Sequence, residues 1–331
     1  MSLVLQIVGV NAQMEKPLVH ILTTGGTIAS QTQAASLEGD KLVGMVPGLT
    51  DIAQVRIEEF SRVGSSKLTP THWLQLVKRI YAILLDDEVD GVVITHGTDS
   101  MEETAFLLSK TVSSKIPIVL TGSMRASNEL SADGSANLLN AVRVAASAEA
   151  KGYGTMVALN EQIFAGENIV KVQNRRTNAF EGRHGGELGV VYPDTVVFHN
   201  KPSPRNPAEY FDLSTVDELP KVGLVQDYIG LQRRDLDYQL NSESEGLVIA
   251  SFAGGRLSVQ TQDWINDLDS DAKPVAIASS VIKGRIVGNP HFGRPVLLAP
   301  GLKPNKARVL LMLGVAVGYS KEQLMKVFAM H

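Results

Sequence analysis

The chain has 331 residues, 31 Lys+Arg against 35 Asp+Glu, 44% hydrophobic residues and no Cys. At roughly 150 residues per domain, this length makes room for two domains, each able to bury most of its apolar surface without covalent staples. A net charge of −4 with both signs interspersed offers no basic stripe for nucleic acid; ordinary Gly and Pro usage excludes fibrous and disordered classes, and the missing Cys removes disulfides, zinc–thiolate sites and thiol nucleophiles together.

Nothing approaches the ~18 consecutive apolar residues that span a bilayer, so no membrane partner is expected. Residues 1–14 carry a short apolar run ending in Val10-Asn11-Ala12, the small-residue spacing of a secretory cleavage site without a basic region before it. They read as the tail of a trimmed signal peptide, in preference to an appended non-native segment leading into a first strand, and point to a periplasmic or secreted protein before a cytoplasmic one.

From residue 18, short β-branched runs alternate with helical patterns. The strands are LVHILTT (18–24), DGVVITHG (90–97), IPIVLTGS (116–123) and GTMVALN (154–160), and between them the apolar residues of 71–85, 101–112 and 135–150 recur at helical spacing. Continuous Val/Ile runs between amphipathic helices predict a mainly parallel sheet covered on both faces, a doubly wound α/β domain over 15–200. Residues 201–220 concentrate Pro, Asn and Ser without a period and read as a linker. A smaller α/β domain over 221–331 follows, with strands at 221–228, 245–252 and 274–280 and a closing helix at 305–318.

Ligands of such sheets bind beyond the carboxyl ends of the strands. Two of those ends place hydroxyls beside glycines, Thr23-Thr24-Gly25-Gly26-Thr27 and Thr95-His96-Gly97-Thr98-Asp99. The first fits neither G-x-G-x-x-G nor the Lys-bearing phosphate loop, and a plain turn explains it equally well. In the second, Asp99 with Glu102 has the spacing of a helix N-cap and near capping box, although an N-cap at a strand end can also face a ligand. His96, Asp99, Glu102 and Glu103 lack a second group to complete a metal site, and no metal is expected. His184 reads as an isolated surface or loop residue, and no G-x-S-x-G elbow accompanies it. Lys171 is either a solvated Lys or, drawn into a partly dry cleft, a base toward a Thr hydroxyl.

Taken in order, TTGGTIAS (23–30), GVVITHGTDSMEETAFLL (91–108), IVLTGSMR (118–125), ELSADGSANLLNAV (129–142) and KARVLLMLGVAV (306–317) closely resemble the bacterial-type L-asparaginase and glutaminase-asparaginase family. The likeness runs through about 300 residues, and the THGTDSMEET wording is similar to the secreted branch. The resemblance implies Thr27 as nucleophile and Thr98, Asp99 and Lys171 as a second catalytic group. It also implies Gly26, Ser65, Ser66, Thr98 and Asp99 as substrate-binding residues, and hydrolysis of the side-chain amide of L-Asn, with L-Gln as a further substrate, without a cofactor. It further implies a homotetramer, a dimer of dimers.

The chain departs from that pattern in four places. The loop at 30–45 carries no Tyr, Ser65 is followed by Ser66 where Gln is usual, Gly254 stands where an Asn is expected, and no counterpart of a Glu is found near GNPHFGRPV. Two rival readings accompany the amidohydrolase: a subunit of an amidotransferase with the same fold, and a catalytically weak homologue that binds an amino acid.

Overall fold

The computed structural model describes residues 15–25, 44, 46–202, 209–269, 271–287 and 296–331. The predicted apolar runs form strands β1 (Leu18–Thr23), β3 (Val89–Thr95), β4 (Ile118–Thr121) and β5 (Thr155–Leu159). With β2 (Gln54–Glu59) at the edge, they give the parallel order β2-β1-β3-β4-β5. Beyond β5 the sheet turns antiparallel through β6 (Gln162–Ala165), β9 (Gly189–Val191) and β10 (Val196–Phe198). The pair β7 (Ile169–Lys171) and β8 (Phe180–Gly182) stands apart as its own antiparallel ladder.

Side chains alternate across a strand, so β1, β3, β4 and β5 supply two apolar faces. One face packs on helices α2 (Pro70–Ile83) and α3 (Met101–Thr111), the other on the short α1 (Leu49–Ile52) and on α4 (Gly134–Ala146). This is the doubly wound arrangement that the sequence predicts. Thr69 caps α2, with His72 returning a bond to the Thr69 backbone N–H, and Pro70 occupies the first turn, where a missing N–H costs nothing.

The second sheet is fully parallel, in the order β11 (Gly223–Gln226), β12 (Leu247–Ser251), β13 (Val275–Ser279) and β14 (Leu297–Ala299). Helices α5 (Arg233–Asn241) and α6 (Val259–Asn266) cover one face, where Leu236, Leu240, Trp264 and Ile265 are buried. The other face meets α7 (Pro304–Ala316). A further helix, α8 (Lys321–Ala329), follows α7, so the chain does not close on the 305–318 helix. The Pro/Asn/Ser-rich stretch is also more than a tether, because its Phe211, Leu213 and Leu219 are buried in an apolar cluster that runs from α2 and α3 through α7 into the second sheet. The sequence reading missed this because three apolar residues without a period carry no helix or strand signal.

One buried group sets an acid limit on this fold. His96, at the end of β3, is fully buried, with Nδ1 2.7 Å from the Gly97 carbonyl and Nε2 without a hydrogen-bond partner among the described residues. Burial lowers its pKa from 6.5 to about 4, outweighing the bond to Gly97. His20 is shifted in the same direction, since burial outweighs its bond to Glu58. The unfolded chain therefore takes up a proton near pH 6.5 that the folded chain refuses until about pH 4, and stability falls as pH is lowered through that window. The full effect of His96 is on the order of 3 kcal/mol. In urea titrations, the wild-type chain should lose stability between about pH 7 and about pH 5, and His96→Gln should lose markedly less over the same interval, whatever its absolute stability. An equal loss in both proteins would remove His96 from the account.

Candidate active site

The carboxyl ends of β1 and β3 are tied together at Thr95, whose carbonyl accepts both the Thr24 N–H at 3.1 Å and the Thr24 hydroxyl at 2.8 Å. On the other side, Ser61 Oγ donates to the Thr24 carbonyl at 2.9 Å and Val63 N at 3.1 Å. Gly25 follows with φ +94°, and a Cβ there would meet backbone atoms of Arg62 and Val63 at 2.9 Å, so only Gly fits this turn. The next two predicted residues, Gly26 and Thr27, lie outside the described residues, as do positions 30–43 and 45 of the Tyr-free loop.

After β3, the chain passes through His96 and Gly97 to Thr98, which is buried. The helix then begins at Met101, where the 101–112 pattern predicts it, but with a different cap. Ser100, not Asp99, occupies the N-cap position, and its side chain makes no capping bond but donates to the Ser65 carbonyl at 2.8 Å. Asp99 is thereby released from a capping role, and Glu102 is turned inward rather than back to the cap. The N-cap assignment failed because Asp and Ser are equally good caps and stand side by side here.

Ser65, the first residue of a short 3₁₀ turn, is buried, and its Oγ accepts the Asp99 backbone N–H at 3.2 Å. Gly97 makes room for it, since a Cβ at that position would sit 2.5 Å from Ser65 Oγ. Ser66 is exposed and points to no described member of the group.

Lys171 completes the constellation from the far side. Its Nζ donates to Thr98 Oγ1 at 2.9 Å and to Asp99 Oδ1 at 3.1 Å. The Lys171 side chain retains 19% of its exposure while that of Asp99 retains 66%, so the ammonium lies at the inner wall and the carboxylate at the mouth. Lys171 is thus partly buried against Thr98 and Asp99 rather than freely solvated. Thr98, Asp99, Lys171 and Ser65 are brought together, although the first two and Lys171 are more than seventy positions apart in sequence.

Behind them is a layer that the sequence reading did not single out as part of the site. Glu102 is buried in the first turn of α3, with one carboxylate oxygen accepting the Lys171 backbone N–H at 3.0 Å. The other accepts Lys303 Nζ and Asn305 Nδ2, each at 2.7 Å, from the start of α7. Burial pushes the Glu102 carboxyl up, but the ammoniums of Lys303 and Lys306 outweigh it and hold the group below its usual range. Lys306 is fully buried, and burial pulls it down to about 7. Its Nζ donates to the carbonyls of Glu167 at 2.8 Å and Ile169 at 2.6 Å.

The other candidates go elsewhere. Glu103 pairs with Arg308 at 3.1 Å, and His96 is bound to its own turn, so the His96/Asp99/Glu102/Glu103 group does not converge. Among the described residues, no three metal-ligating side chains cluster. His184 lies in the loop after β8 as predicted, but is half-buried, with Nε2 3.3 Å from the Gly301 carbonyl. Gly254 sits in the turn after β12 with φ +69° and open space where a side chain would be.

Comparison with known proteins bears on the whole chain. Residues 18–204 match the model of the asparaginase N-terminal domain, and residues 221–328 that of the glutaminase/asparaginase C-terminal domain. An L-asparaginase 2 from Bacillus subtilis is 36% identical over 310 residues, spanning 90% of this chain and 82% of the relative. A probable periplasmic L-asparaginase from Haemophilus influenzae is 35% identical over 314 residues, 90% of this chain and 88% of its own length. The crystal structure of a probable cytoplasmic L-asparaginase from Campylobacter jejuni superposes with a TM-score of 0.89 at 33% identity, covering 95% of this chain and 99% of the other. With both domain models matched in order across a doubly wound sheet and its smaller companion, the chain belongs to the bacterial-type L-asparaginase family.

Proposed function

We propose that this chain hydrolyses the side-chain amide of L-asparagine, and that of L-glutamine as a second substrate, to the acid and ammonia. The observation that carries the reading is the Lys171–Thr98–Asp99 cluster at the carboxyl end of β3, beside the glycine turn that leads into Thr27. A threonine hydroxyl is a weak nucleophile and needs a partner to take its proton. Thr27 Oγ attacks the amide carbon, its proton is passed on to the amide nitrogen, the C–N bond breaks, nitrogen leaves as ammonia, and an ester of Thr27 with the substrate acyl group remains. Water then attacks that ester; one of its protons is relayed through Thr98 to Thr27 Oγ as the ester C–O bond breaks, so the acid is released and the Thr27 hydroxyl is restored. The 2.9 Å line between Lys171 Nζ and Thr98 Oγ1 lets a proton pass in either direction as Thr98 gives or receives one. Asp99, largely exposed at the mouth, offers a carboxylate to the substrate ammonium, and Ser65 and Ser66 offer hydroxyls to its carboxylate. The family resemblance adds Gly26 to the substrate-binding residues of this reading.

The same reading divides the chain into a catalytic domain over 15–200 and a second domain over 221–331, and assembles four copies. Supporting the assembly, Tyr228, Ile229, Phe252, Val281, Ile282 and Val287 are exposed after the strands of the second sheet, and Ile229 keeps 93% of its surface in water. Such an apolar group on one face is the mark of a contact surface. The small-residue spacing near Ala12 and the THGTDSMEET wording favour export to the periplasm.

Purified protein, with no partner added, should release ammonia from L-Asn. Thr98→Val and Lys171→Met should each lower kcat by about a hundredfold or more, and the double variant should lose less than the product of the two factors, because the pair acts as a unit. Wild-type rates in both single variants would refute the assignment. Sedimentation equilibrium should give four copies per particle, and Ile229→Asp should shift the population toward smaller species. A fully active monomer would contradict the assembly.

A further inference from the structure

The strand that carries Lys171 has little support from the main sheet. β7 is three residues long and, among the described residues, pairs only with β8, itself three residues long, so two short segments hold an ammonium that must meet Thr98 at hydrogen-bond distance. Long-range contacts supply what the ladder lacks. Lys306, from α7, donates to the carbonyl of Ile169, the first residue of β7, and Glu102, from α3, accepts the N–H of Lys171, the last. Glu102 is in turn gripped by Lys303 and Asn305, 201 and 203 positions away in the chain.

We infer that Glu102 is a positioning residue for Lys171, and that the first turn of α7, through Lys303 and Asn305, holds Glu102 in the orientation that this requires. The inference rests on the reading of Lys171 as the group that exchanges a proton with Thr98. A buried carboxylate with one oxygen on a catalytic strand and the other on two side chains of the second domain fixes that strand relative to both domains at once. Glu102 makes no bond to Thr98 or Asp99 side chains, so its effect on the reaction runs through the backbone of Lys171. The contact that defines kcat is the Nζ–Oγ1 separation, and a displacement of about 1 Å in such a contact costs up to about a hundredfold in rate.

Removing Glu102 alone would leave the Lys303 ammonium buried beside it without its partner, so the test uses two charge-matched pairs. Glu102→Gln/Lys303→Met removes both charges and keeps an amide oxygen to accept the Lys171 N–H. Glu102→Leu/Lys303→Met removes both charges and the acceptor, and apolar replacement of a buried ion pair of this kind is commonly neutral for folding. With L-Asn as substrate, the Leu pair is expected to show a kcat at least about tenfold below that of the Gln pair, with KM changed by less than about twofold. Placed on top of Lys171→Met, the two pairs should have equal kcat, because there is no longer an ammonium to position. A purely structural role would instead appear as a difference in thermal midpoint with equal kcat in folded protein, and would overturn the inference. A Leu/Gln difference that persists at full size in the Lys171→Met background would overturn it as well. If Lys171→Met itself has wild-type kcat, the proposed proton exchange fails first, and that outcome is distinct from equal rates in the two pairs when Lys171 is present.

Discussion

A proton can pass between Lys171 and Thr98 only while their side chains stay within about 3 Å, yet Thr98 follows an interior strand of the main sheet and Lys171 ends a strand of a separate two-stranded ladder. Thr98 is fixed by the main sheet, because β3 is flanked by β1 and β4 and its end is pinned by Thr24 and by Ser65. Lys171 is fixed by groups outside the sheet. Much of the polar architecture between the two domains serves to bring the second of these to the first.

Burial gives that architecture its rigidity. Glu102 and Lys303 retain 8% and 18% of their side-chain exposure, so each has exchanged most of its hydration for the other. Taking one member from such a pair is destabilising, because the remaining charge keeps little of its hydration and loses its counter-charge. Lys306 shows the same balance from the other direction. Its ammonium is pulled down to about 7 by burial despite Glu102 and Glu167 nearby, and its donors are spent on backbone carbonyls around β7. These groups contribute little net stability relative to an apolar core. They specify where a strand three residues long must lie.

The strands of the parallel core were legible because β1, β3 and β12 are nearly unbroken apolar runs, buried on both faces, and the helices because α2 and α4 repeat apolar residues at helical spacing. Strands β6 to β10 were not, since runs of three or four residues carry too few positions to establish a period of two. The site divides in a similar way. Thr98 and Asp99 announce themselves at a strand end beside Gly97, whereas Lys171 looks like any solvated lysine until a family resemblance marks it. Glu102 was misread as a capping partner because three-residue spacing from Asp99 is a local pattern, and its real partners at Lys303 and Asn305 are local to nothing in its neighbourhood. Ser100 was overlooked for the same reason: its bond to the Ser65 carbonyl crosses 35 positions.

Which threonine carries the acyl group distinguishes the nucleophile from the proton carrier. Purified protein turning over L-Asn can be quenched in acid within the first turnovers, digested, and mapped peptide by peptide for an aspartyl ester. The ester should be found on the peptide containing Thr27, with the Thr98 peptide unmodified, because the proposed mechanism uses Thr98, held against Lys171 at 2.9 Å, to move protons and Thr27 to attack carbon. An ester on Thr98 would reverse the two roles and contradict the mechanism.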